Sequence, residues 1–425
     1  MSSIKKNSAK NIAKNLDTTQ KTILGLQHLL AMFGATVLVP ILTGLDPSMA
    51  LLCAGIGTLI FHFITGKKVP VFLGSSFAFI GAIALTLNTH GIAAVKSGVI
   101  GAGIIYVLMS FTIKIFGAEK VRSFFPPIVT GPVIMVIGLR LAPVALDMAG
   151  YTFDAGAGVG YFDPKSAFAA GIVIATMIVV SIFAKGFFKL VPILISVTVG
   201  YIVSIPLGLV DFSTVADAKW IGLSEKAIDH ITTMPSFSGP GLAAIAPIAL
   251  VIFIEHFGDI TTNGAVVGKD FFKDPGVDKT MMGDGIATII AGFLGGPANT
   301  TYSENTGVLA VTKVYDPSVL RFAAVFAIIL SFVGKFGALI NSIPLPVMGG
   351  VSIILFGMIA SVGVRTLIDA NLDFAHSRNL LISSIILVLG ITVDNIYLSG
   401  TLSLSGLALA ALIGVVLNKL LPQEI

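Results

Sequence analysis

The sequence predicts an all-α, polytopic membrane protein. Its mean hydropathy is +0.97, and 55% of its 425 residues are hydrophobic whereas only 11% are charged. A soluble domain of ordinary composition has about a quarter of its residues charged, more than twice this share. Apolar runs of about 18–22 residues recur along the chain, and each is long enough to cross roughly 30 Å of hydrocarbon as a helix.

The composition also excludes several other classes. A transmembrane β-barrel would show short alternating segments, and the sequence is not built of them. The net charge of +4 does not indicate nucleic-acid binding, because in a membrane protein the positions of Lys and Arg matter more than their sum. Cys53 is the single cysteine, so we expect neither a disulfide nor a cysteine-based metal site. Residues 1–21 are polar and basic without the apolar centre of a signal peptide, so we expect them to form an N-terminal tail and the first apolar run to be a retained membrane helix.

Hydrophobic segments can be assigned at fourteen places. The third and tenth are weak, because "VPVFLGSSFAFIGA" and "NTTYSENTG" interrupt them with small polar residues. Neither reads as one ordinary membrane helix. The approximate spans are 22–41, 48–65, 71–87, 92–116, 126–146, 166–184, 190–209, 241–262, 280–295, 299–313, 318–341, 346–365, 379–396 and 403–421.

The positions of the basic residues support this assignment. An even number of crossings places both termini on one side of the membrane. With the N-terminus in the cytoplasm, all but six of the 26 Lys and Arg residues fall on the cytoplasmic side. Such a bias follows the positive-inside rule, and the loss of one segment would reverse every later loop. We therefore expect both termini to be cytoplasmic.

Internal similarity suggests two inverted repeats of seven segments. "PPIVTGPVIMVIGL" in the fifth segment resembles "LPVMGGVSIILFGM" in the twelfth, so that Pro127, Gly131 and Gly138 fall on Pro346, Gly350 and Gly357. The weak third and tenth segments are also seven apart. Because seven crossings is an odd number, the second copy must be inverted in the membrane. Inverted repeats with interrupted segments at matching positions are typical of secondary transporters with a site near the midplane.

Ionisable residues within the predicted membrane segments are the candidates for function, because an unpaired charge in hydrocarbon costs several kcal/mol. Glu255, His256 and Asp259 lie in the eighth segment, and Glu304 lies in the tenth. Glu255 and Asp259 are four residues apart and share a helix face. Each group could instead belong to a polar network between packed helices. The same two interpretations apply to His28 in the first segment.

The interrupted segments predict the kind of ligand. Unwound backbone at membrane depth is tolerated where it is buried or lines a cavity, and its free N–H and C=O groups can then bind a ligand. "GSSFAF" and "TTYSEN" present such groups beside Phe77, Tyr302 and Glu304. An aromatic ring, carboxylates and backbone amides suit a flat ligand with N–H donors and C=O acceptors on its edge. A nucleobase is such a ligand, although Phe77 could also be an ordinary core aromatic.

No motif of an enzyme is present. A Walker loop is missing, and the glycine-containing stretches lie in apolar spans rather than after a strand of a βαβ unit. A nucleophile with its base, or a metal site, is not evident either. We therefore expect a transporter without a cofactor.

Five motifs together resemble the nucleobase–ascorbate (nucleobase:cation symporter) family, and most of all its uracil-transporting members. They are "LQHLLAMFGATVLVP", "GSSFAFI", "FIEHFGD", "GGPANTTYSENTGVLAVTKVYD" and "IPLPVMGGVSIILFGM". The resemblance extends over roughly residues 20–420. It implies a uracil:proton symporter of the bacterial inner membrane, surrounded by lipid and commonly a homodimer.

The resemblance also implies a division into domains. Segments 1–4 and 8–11 form a core domain, segments 5–7 and 12–14 form a gate domain, and short strands in segments 3 and 10 pair near the midplane. The corresponding ranges are a cytoplasmic tail (1–21), core (22–116), gate (117–209), an extracytoplasmic loop (210–240), core (241–341) and gate (342–425).

The roles of individual residues follow from the same resemblance. Glu255 and Glu304 are expected to hydrogen-bond the base. Phe77 is expected to stack on it, while the backbone amides of Phe77 and Ser303 reach its carbonyl oxygens. Tyr302 and His28 are expected to flank and support the site. Proton binding is expected at the cluster of Glu255, His256 and Asp259.

Two positions depart from the pattern of the uracil-transporting members. Asp259 stands where that pattern has His, and Asp at this position is found in purine-transporting relatives. Phe356 stands where the pattern has Tyr, which removes one hydroxyl. A purine such as xanthine or uric acid is therefore the nearest alternative substrate. An anion transporter of the related seven-plus-seven fold is a more distant alternative, and a membrane enzyme is the third.

Overall fold

A computed structural model describes residues 16–154, 159–237, 239–393, 395–399 and 402–422. Within these ranges the chain is mostly helical, which confirms the predicted helical class. Most of the predicted tail, residues 1–21, lies outside the described residues. The helices are α1 (Thr18–Thr43), α2 (Pro47–Ile64), α3 (Ile80–Phe116), α4 (Ala118–Arg122), α5 (Pro127–Met148), α6 (Pro164–Phe183), α7 (Pro192–Ser204), α8 (Ser213–Asp217), α9 (Glu225–Thr232), α10 (Gly239–Ile245), α11 (Ala249–Val267), α12 (Val277–Leu294), α13 (Ser303–Thr312), α14 (Pro317–Ser331), α15 (Gly334–Asn341), α16 (Leu345–Asp369), α17 (Ser377–Thr392) and α18 (Gly406–Leu420).

Several helices are suited to cross a membrane. In the described part of the chain, seven helical stretches are long and apolar enough, and the bent pair α14–α15 makes an eighth if it counts as one span. The seven are Thr18–Thr43, Pro47–Ile64, Phe77–Phe116, Pro127–Met148, Pro164–Phe183, Gly239–Val267 and Leu345–Asp369. Three shorter apolar helices are α7, α17 and α18. The chain is therefore a multi-pass membrane protein.

An Asp-Pro pair starts three of these helices. Asp46, Asp163 and Asp316 are the N-cap residues of α2, α6 and α14, and a proline follows each. The carboxylates accept hydrogen bonds from backbone N–H groups of the first turn, for example Ser48 at 2.8 Å and Ser318 at 2.8 Å. Proline suits the first helical position because the N–H that it lacks would have no helical partner.

Within the described residues, six short strands form three antiparallel pairs. The strands β2 (Tyr151–Asp154) and β3 (Val159–Phe162) form a hairpin, as do β5 (Asn395–Ser399) and β6 (Leu402–Ser405). The third pair joins distant parts of the chain, β1 (Leu73–Ser75) and β4 (Asn299–Thr301). These two strands lie in the third and tenth predicted segments, where the strands were expected, and they are buried.

The long helices pack in two groups. α1, α2, α3, α12 and α14 pack with one another, and α5, α6, α7, α16, α17 and α18 form the other group. The tightest contact of the second group is between α5 and α16. A Cβ on Gly138 of α5 would lie 2.2 Å from the carbonyl oxygen of Phe356, so only glycine permits this approach of the two backbones.

The predicted loop 210–240 contains α8 and α9 and is fastened to the first group of helices. Lys96 of α3 is buried, and its Nζ donates to the carbonyl oxygens of His230 at 2.7 Å and Thr233 at 2.6 Å at the end of α9. At the start of α9, Ser224 Oγ donates to Asp46 Oδ2 at 2.6 Å. A lysine at a helix C-terminus also complements the helix dipole.

Candidate functional site

The pairing of β1 with β4 organises the candidate site. Leu73 pairs with Thr301 and Ser75 with Asn299. Beyond the strands, Ser76 N–H donates to the carbonyl of Ala298 at 2.9 Å, and Tyr302 N–H donates to that of Phe72 at 3.0 Å. Strands this short pair only a few of the backbone N–H and C=O groups in this region. A membrane protein tolerates such a stretch where it is buried between helices.

A helix begins directly after each strand. A 3-10 turn begins at Phe77 and leads into α3, and α13 begins at Ser303. Neither start has a side-chain cap, because Ser76 and Tyr302 in the N-cap positions make no capping hydrogen bond. The first N–H groups of a helix have no partner within it and carry partial positive charge. The two starts lie at opposite ends of the strand pair, because the strands are antiparallel.

Phe77 lies where the two groups of helices meet. Its side chain is partly buried and packs against hydrophobic clusters contributed by both groups. The ring of Phe356 on α16 meets it edge to face, with the ring centroids 6.4 Å apart. The side chain of Phe77 therefore lies at the boundary between the two groups of helices.

Tyr302 follows β4 directly. It is buried, and its hydroxyl donates to the carbonyl oxygen of Ser75 at 2.8 Å. Its ring covers Gly74, where a Cβ would lie 2.3 Å from the Tyr302 Cζ atom. This arrangement makes Tyr302 a support of the strand pair.

Asp259 ties α11 to the start of α13. Its Oδ2 accepts a hydrogen bond from Thr301 Oγ1 at 2.9 Å, and its Oδ1 accepts one from Ser303 Oγ at 2.6 Å. Both carboxylate oxygens are thereby engaged. Asp259 thereby links α11 to the residues at which α13 begins.

Three carboxylates converge on this region. Glu255 lies one turn before Asp259 on α11, and Glu304 lies in the first turn of α13. Both glutamates are partly buried, and Asp259 and Glu304 each interact electrostatically with Glu255. Among the residues that the structure describes, none of the three forms an ion pair with Lys or Arg. The site is consequently acidic.

His256 points away from Glu255 and Asp259, toward α12. Its Nδ1 lies 2.9 Å from Asp284 Oδ2 and its Nε2 lies 2.9 Å from Thr280 Oγ1, and all three residues are buried. The sequence reasoning missed Asp284. The signal for it was an acidic residue within the apolar run "MMGDGIATII". Of the predicted proton-binding cluster, the structure places Glu255 and Asp259 beside the strands and His256 behind them.

His28 is buried and bonded to α13. Asn305 Nδ2 donates to His28 Nδ1 at 3.1 Å and to its carbonyl oxygen at 3.0 Å. If Nδ1 accepts this bond, the ring carries its proton on Nε2. Asn305 is a second residue that the sequence reasoning missed, and its nearest signal was the polar run "NTTYSENTG". His28 therefore fixes α1 to α13.

Comparison with known proteins identifies the family to which the chain belongs. A family model described as Permease family (Xan_ur_permease) matches residues 19–397. The chain belongs to this permease family. The match confirms the family resemblance that the five motifs predicted, and it makes the permease a transporter rather than an enzyme.

Several relatives resemble the permease over nearly their whole length. A protein named probable uracil permease from Haemophilus influenzae is 43% identical over 97% of both chains. The uracil permease of Bacillus subtilis is 46% identical over 94% of this chain and 92% of that one. The uracil permease of Escherichia coli K12 is 41% identical over 95% and 93%, respectively.

Solved structures show that the fold of the permease also occurs in distant transporters. The transmembrane domain of the cyanobacterial bicarbonate transporter BicA superposes with a TM-score of 0.63 at 16% identity, over 94% of this chain and 96% of that one. Murine Slc26a9, an anion transporter solved in the inward-facing state, superposes with a TM-score of 0.68 at 11% identity. The match covers 94% of this chain and 67% of that one. At sequence identities this low, the comparison shows a shared fold and nothing about function.

Proposed function

We propose that this permease is a uracil:proton symporter that imports uracil across the bacterial inner membrane. The observation that carries the proposal is the pair of uncapped helix starts at Phe77 and Ser303, held beside Glu255 and Glu304 by the antiparallel strands. Support for uracil as the substrate comes from the names of the relatives, which are 41–46% identical.

The edge of uracil matches these groups. Its two ring N–H groups donate, and the carboxylates of Glu255 and Glu304 accept. Its two carbonyl oxygens accept, and the backbone N–H groups of Phe77 and Ser303 donate. The ring of Phe77 stacks on its face. The ring of Phe356 adds a second aromatic edge, with its centroid 6.4 Å from that of Phe77. Unlike a tyrosine, it offers the base no hydroxyl.

A proton is the coupling ion in this proposal, and no other cofactor takes part. Carboxylates that lie close together and away from bulk water repel one another when all are ionised, and one proton relieves that repulsion. Both oxygens of Asp259 already accept hydrogen bonds, so we assign the proton to Glu255, one turn away on the same helix, with Asp259 next to it and His256 behind the strands. Proton and base then raise each other's affinity by the same factor.

The proposed architecture has fourteen segments in two inverted repeats, with both termini in the cytoplasm. The first group of helices together with α10, α11 and α13 is the core domain, and the second group is the gate domain. One break supports the higher number of segments, because Gly91 (φ 74°, ψ 178°) interrupts α3 between the third and fourth predicted segments. We further propose that the protein is a homodimer in lipid.

Two alternatives differ in substrate. A purine such as xanthine or uric acid keeps the mechanism, and Asp259 is the residue that favours it. An anion transporter is suggested by the folds of BicA and Slc26a9. An anion requires positive charge at its site, whereas the described side chains around the strand pair are acidic.

The experiment is uptake of labelled uracil into cells that lack their own uracil transporter, with and without a protonophore. We expect saturable uptake that the protonophore abolishes and that Glu304→Ala eliminates, while Glu225→Ala on the exposed start of α9 behaves as wild type. Competition by excess unlabelled xanthine or uric acid distinguishes the purine alternative from uracil as the substrate. Uptake by Glu255→Gln with an unchanged pH dependence would overturn the assignment of the proton.

A further inference from the structure

Trp220 lies on the surface of the molecule, in the stretch that connects α8 with α9. It is the single tryptophan of the chain. Its exposed fraction is 74%, and that of the neighbouring Ile221 is 83%. Side chains this large and apolar are rarely left so exposed to water in adjacent positions without a partner surface.

The backbone of this stretch is fixed to the bend between α14 and α15. Gly334 N–H donates to the carbonyl oxygen of Trp220 at 3.1 Å, and Gly222 N–H donates to that of Phe332 at 2.9 Å. A Cβ on Gly334 would lie 2.4 Å from the carbonyl oxygen of Lys219, which shows how closely the two stretches approach. The bend therefore sets the position of Trp220 along the axis of α14.

The length of α14 places that bend near a membrane boundary. Lys21 pairs with Asp316 at 3.7 Å beside the start of α14, and these charges locate that end at one membrane surface. From Pro317 to Ser331 the helix has 15 residues, or about 22 Å at 1.5 Å per residue. The hydrocarbon is about 30 Å thick, so the bend cannot extend far into water on the opposite side.

The surroundings of Trp220 have the composition of a membrane interface. Lys335 Nζ lies 6.0 Å from the centre of the indole ring and donates to the carbonyl oxygens of Val215 at 2.6 Å and Ala216 at 2.7 Å. Phe332 at the bend is also exposed. Tryptophan beside a lysine is typical of the headgroup level, where the ring is partly apolar and its N–H remains wet.

We propose that Trp220 and Ile221 insert into the bilayer at the boundary between headgroups and hydrocarbon. The occupant of this surface is lipid, because the stretch is hydrogen-bonded to the bend at the end of α14 and lies at the depth of that end. The stretch that connects α8 with α9 thereby couples the bend of α14–α15 to the membrane surface.

The intrinsic fluorescence of the unmodified protein tests this proposal, because all tryptophan emission comes from Trp220. The protein is reconstituted into liposomes of lipids brominated either near the headgroup or near the chain end, and iodide is the aqueous quencher. Two references are made in a Trp220→Phe background. Ala175→Trp, exposed in the middle of α6, reports the hydrocarbon, and Lys273→Trp, whose native side chain is 85% exposed, reports water.

We expect lipid brominated near the headgroup to quench Trp220 several-fold more than it quenches the Lys273→Trp reference. We also expect lipid brominated near the chain end to quench Trp220 less than it quenches the Ala175→Trp reference. Iodide quenching equal to that of Lys273→Trp, without lipid quenching, would show that the side chain lies in water and overturn the proposal. Protection from both quenchers that disappears on dilution of the protein in lipid would overturn it as well, since a second copy would then cover the surface.

Discussion

The ring of Tyr302 lies directly over Gly74, so that a Cβ at position 74 would fall 2.3 Å from Cζ and 2.4 Å from Cε2. The Tyr302 hydroxyl also bonds to the carbonyl of Ser75, the next residue of the same strand. Tyr302 thus covers β1 with its side chain and follows β4 directly in the chain. The geometry of the candidate site depends on this contact.

We expect Gly74→Ala to destabilise the protein by about 1–3 kcal/mol and to abolish uptake, because the methyl group displaces the Tyr302 ring and with it β1. The thermal midpoint of the purified protein and uptake in cells are the two measurements. Gly81→Ala is the matched control, since a Cβ there meets nothing within 4 Å. Adding Tyr302→Leu to Gly74→Ala should recover stability, and a strictly additive loss would contradict the contact.

Asp259→Asn tests the link between α11 and α13. An amide offers one acceptor oxygen where the carboxylate offers two, so the hydroxyl of either Thr301 or Ser303 loses its acceptor. We expect the KM for uptake to rise about tenfold, equivalent to about 1.4 kcal/mol, with sensitivity to the protonophore retained. Thr261→Val on the same helix is the control, and an unchanged KM would show that these bonds do not position the site.

The buried pair of His256 and Asp284 should be sensitive to the loss of one partner. Asp284→Leu removes the acceptor at 2.9 Å from His256 Nδ1, and we expect a loss of about 3–5 kcal/mol in stability. Combining it with His256→Phe should cost much less than the sum of the two single changes. Asp270→Asn, at a half-exposed carboxylate, is the control. Additive effects would indicate that the two side chains act independently.

Lys96→Met examines how segment 210–240 is held. The methionine fills a similar volume but leaves the carbonyls of His230, Ile231 and Thr233 without their donor. We expect a loss of about 2–3 kcal/mol in stability and faster proteolysis between α8 and α10. Lys226→Met on the exposed face of α9 should resemble wild type. Equal protease sensitivity of both variants would contradict the proposed fastening.

Acid should loosen the same segment through His230. Burial is the main cause that lowers the pKa of His230 below its ordinary 6.5, and the charge of Lys226 lowers it further. The folded state therefore resists protonation, and stability falls as the pH drops through the pKa of the unfolded state, near 6.5. We expect the thermal midpoint to decrease between about pH 7.5 and about pH 5.5, and to decrease less in His230→Leu. Equal pH dependence in both proteins would exclude His230 as the cause.

The sequence was informative about elements whose cause is local. Hydropathy located the membrane helices, the Asp-Pro pairs mark three helix starts, and the interrupted stretches "GSSFAF" and "TTYSEN" contain the residues that follow β1 and β4. The family resemblance named the residues of the candidate site. Their roles in binding and coupling stay predictions.

Partners from distant segments could not be read from the sequence in the same way. Asp284 bonds to His256 28 positions away, and Asn305 bonds to His28 277 positions away. No periodicity reports which buried polar groups of different helices meet, because the meeting depends on tertiary packing. The spacing of Glu255, His256 and Asp259 likewise could not show that His256 faces α12.

The pairing of β1 with β4 has a consequence for how the protein is made. Ser75 and the Tyr302 that bonds to it are 227 residues apart. At roughly 5–20 residues per second, a ribosome needs about 10–45 s to synthesise the second strand after the first. During that interval the N-terminal half carries unpaired backbone groups at membrane depth, where water cannot satisfy them. β1 therefore completes its backbone pairing only after β4 has been synthesised, and a truncated N-terminal half should be degraded by membrane proteases faster than the full chain.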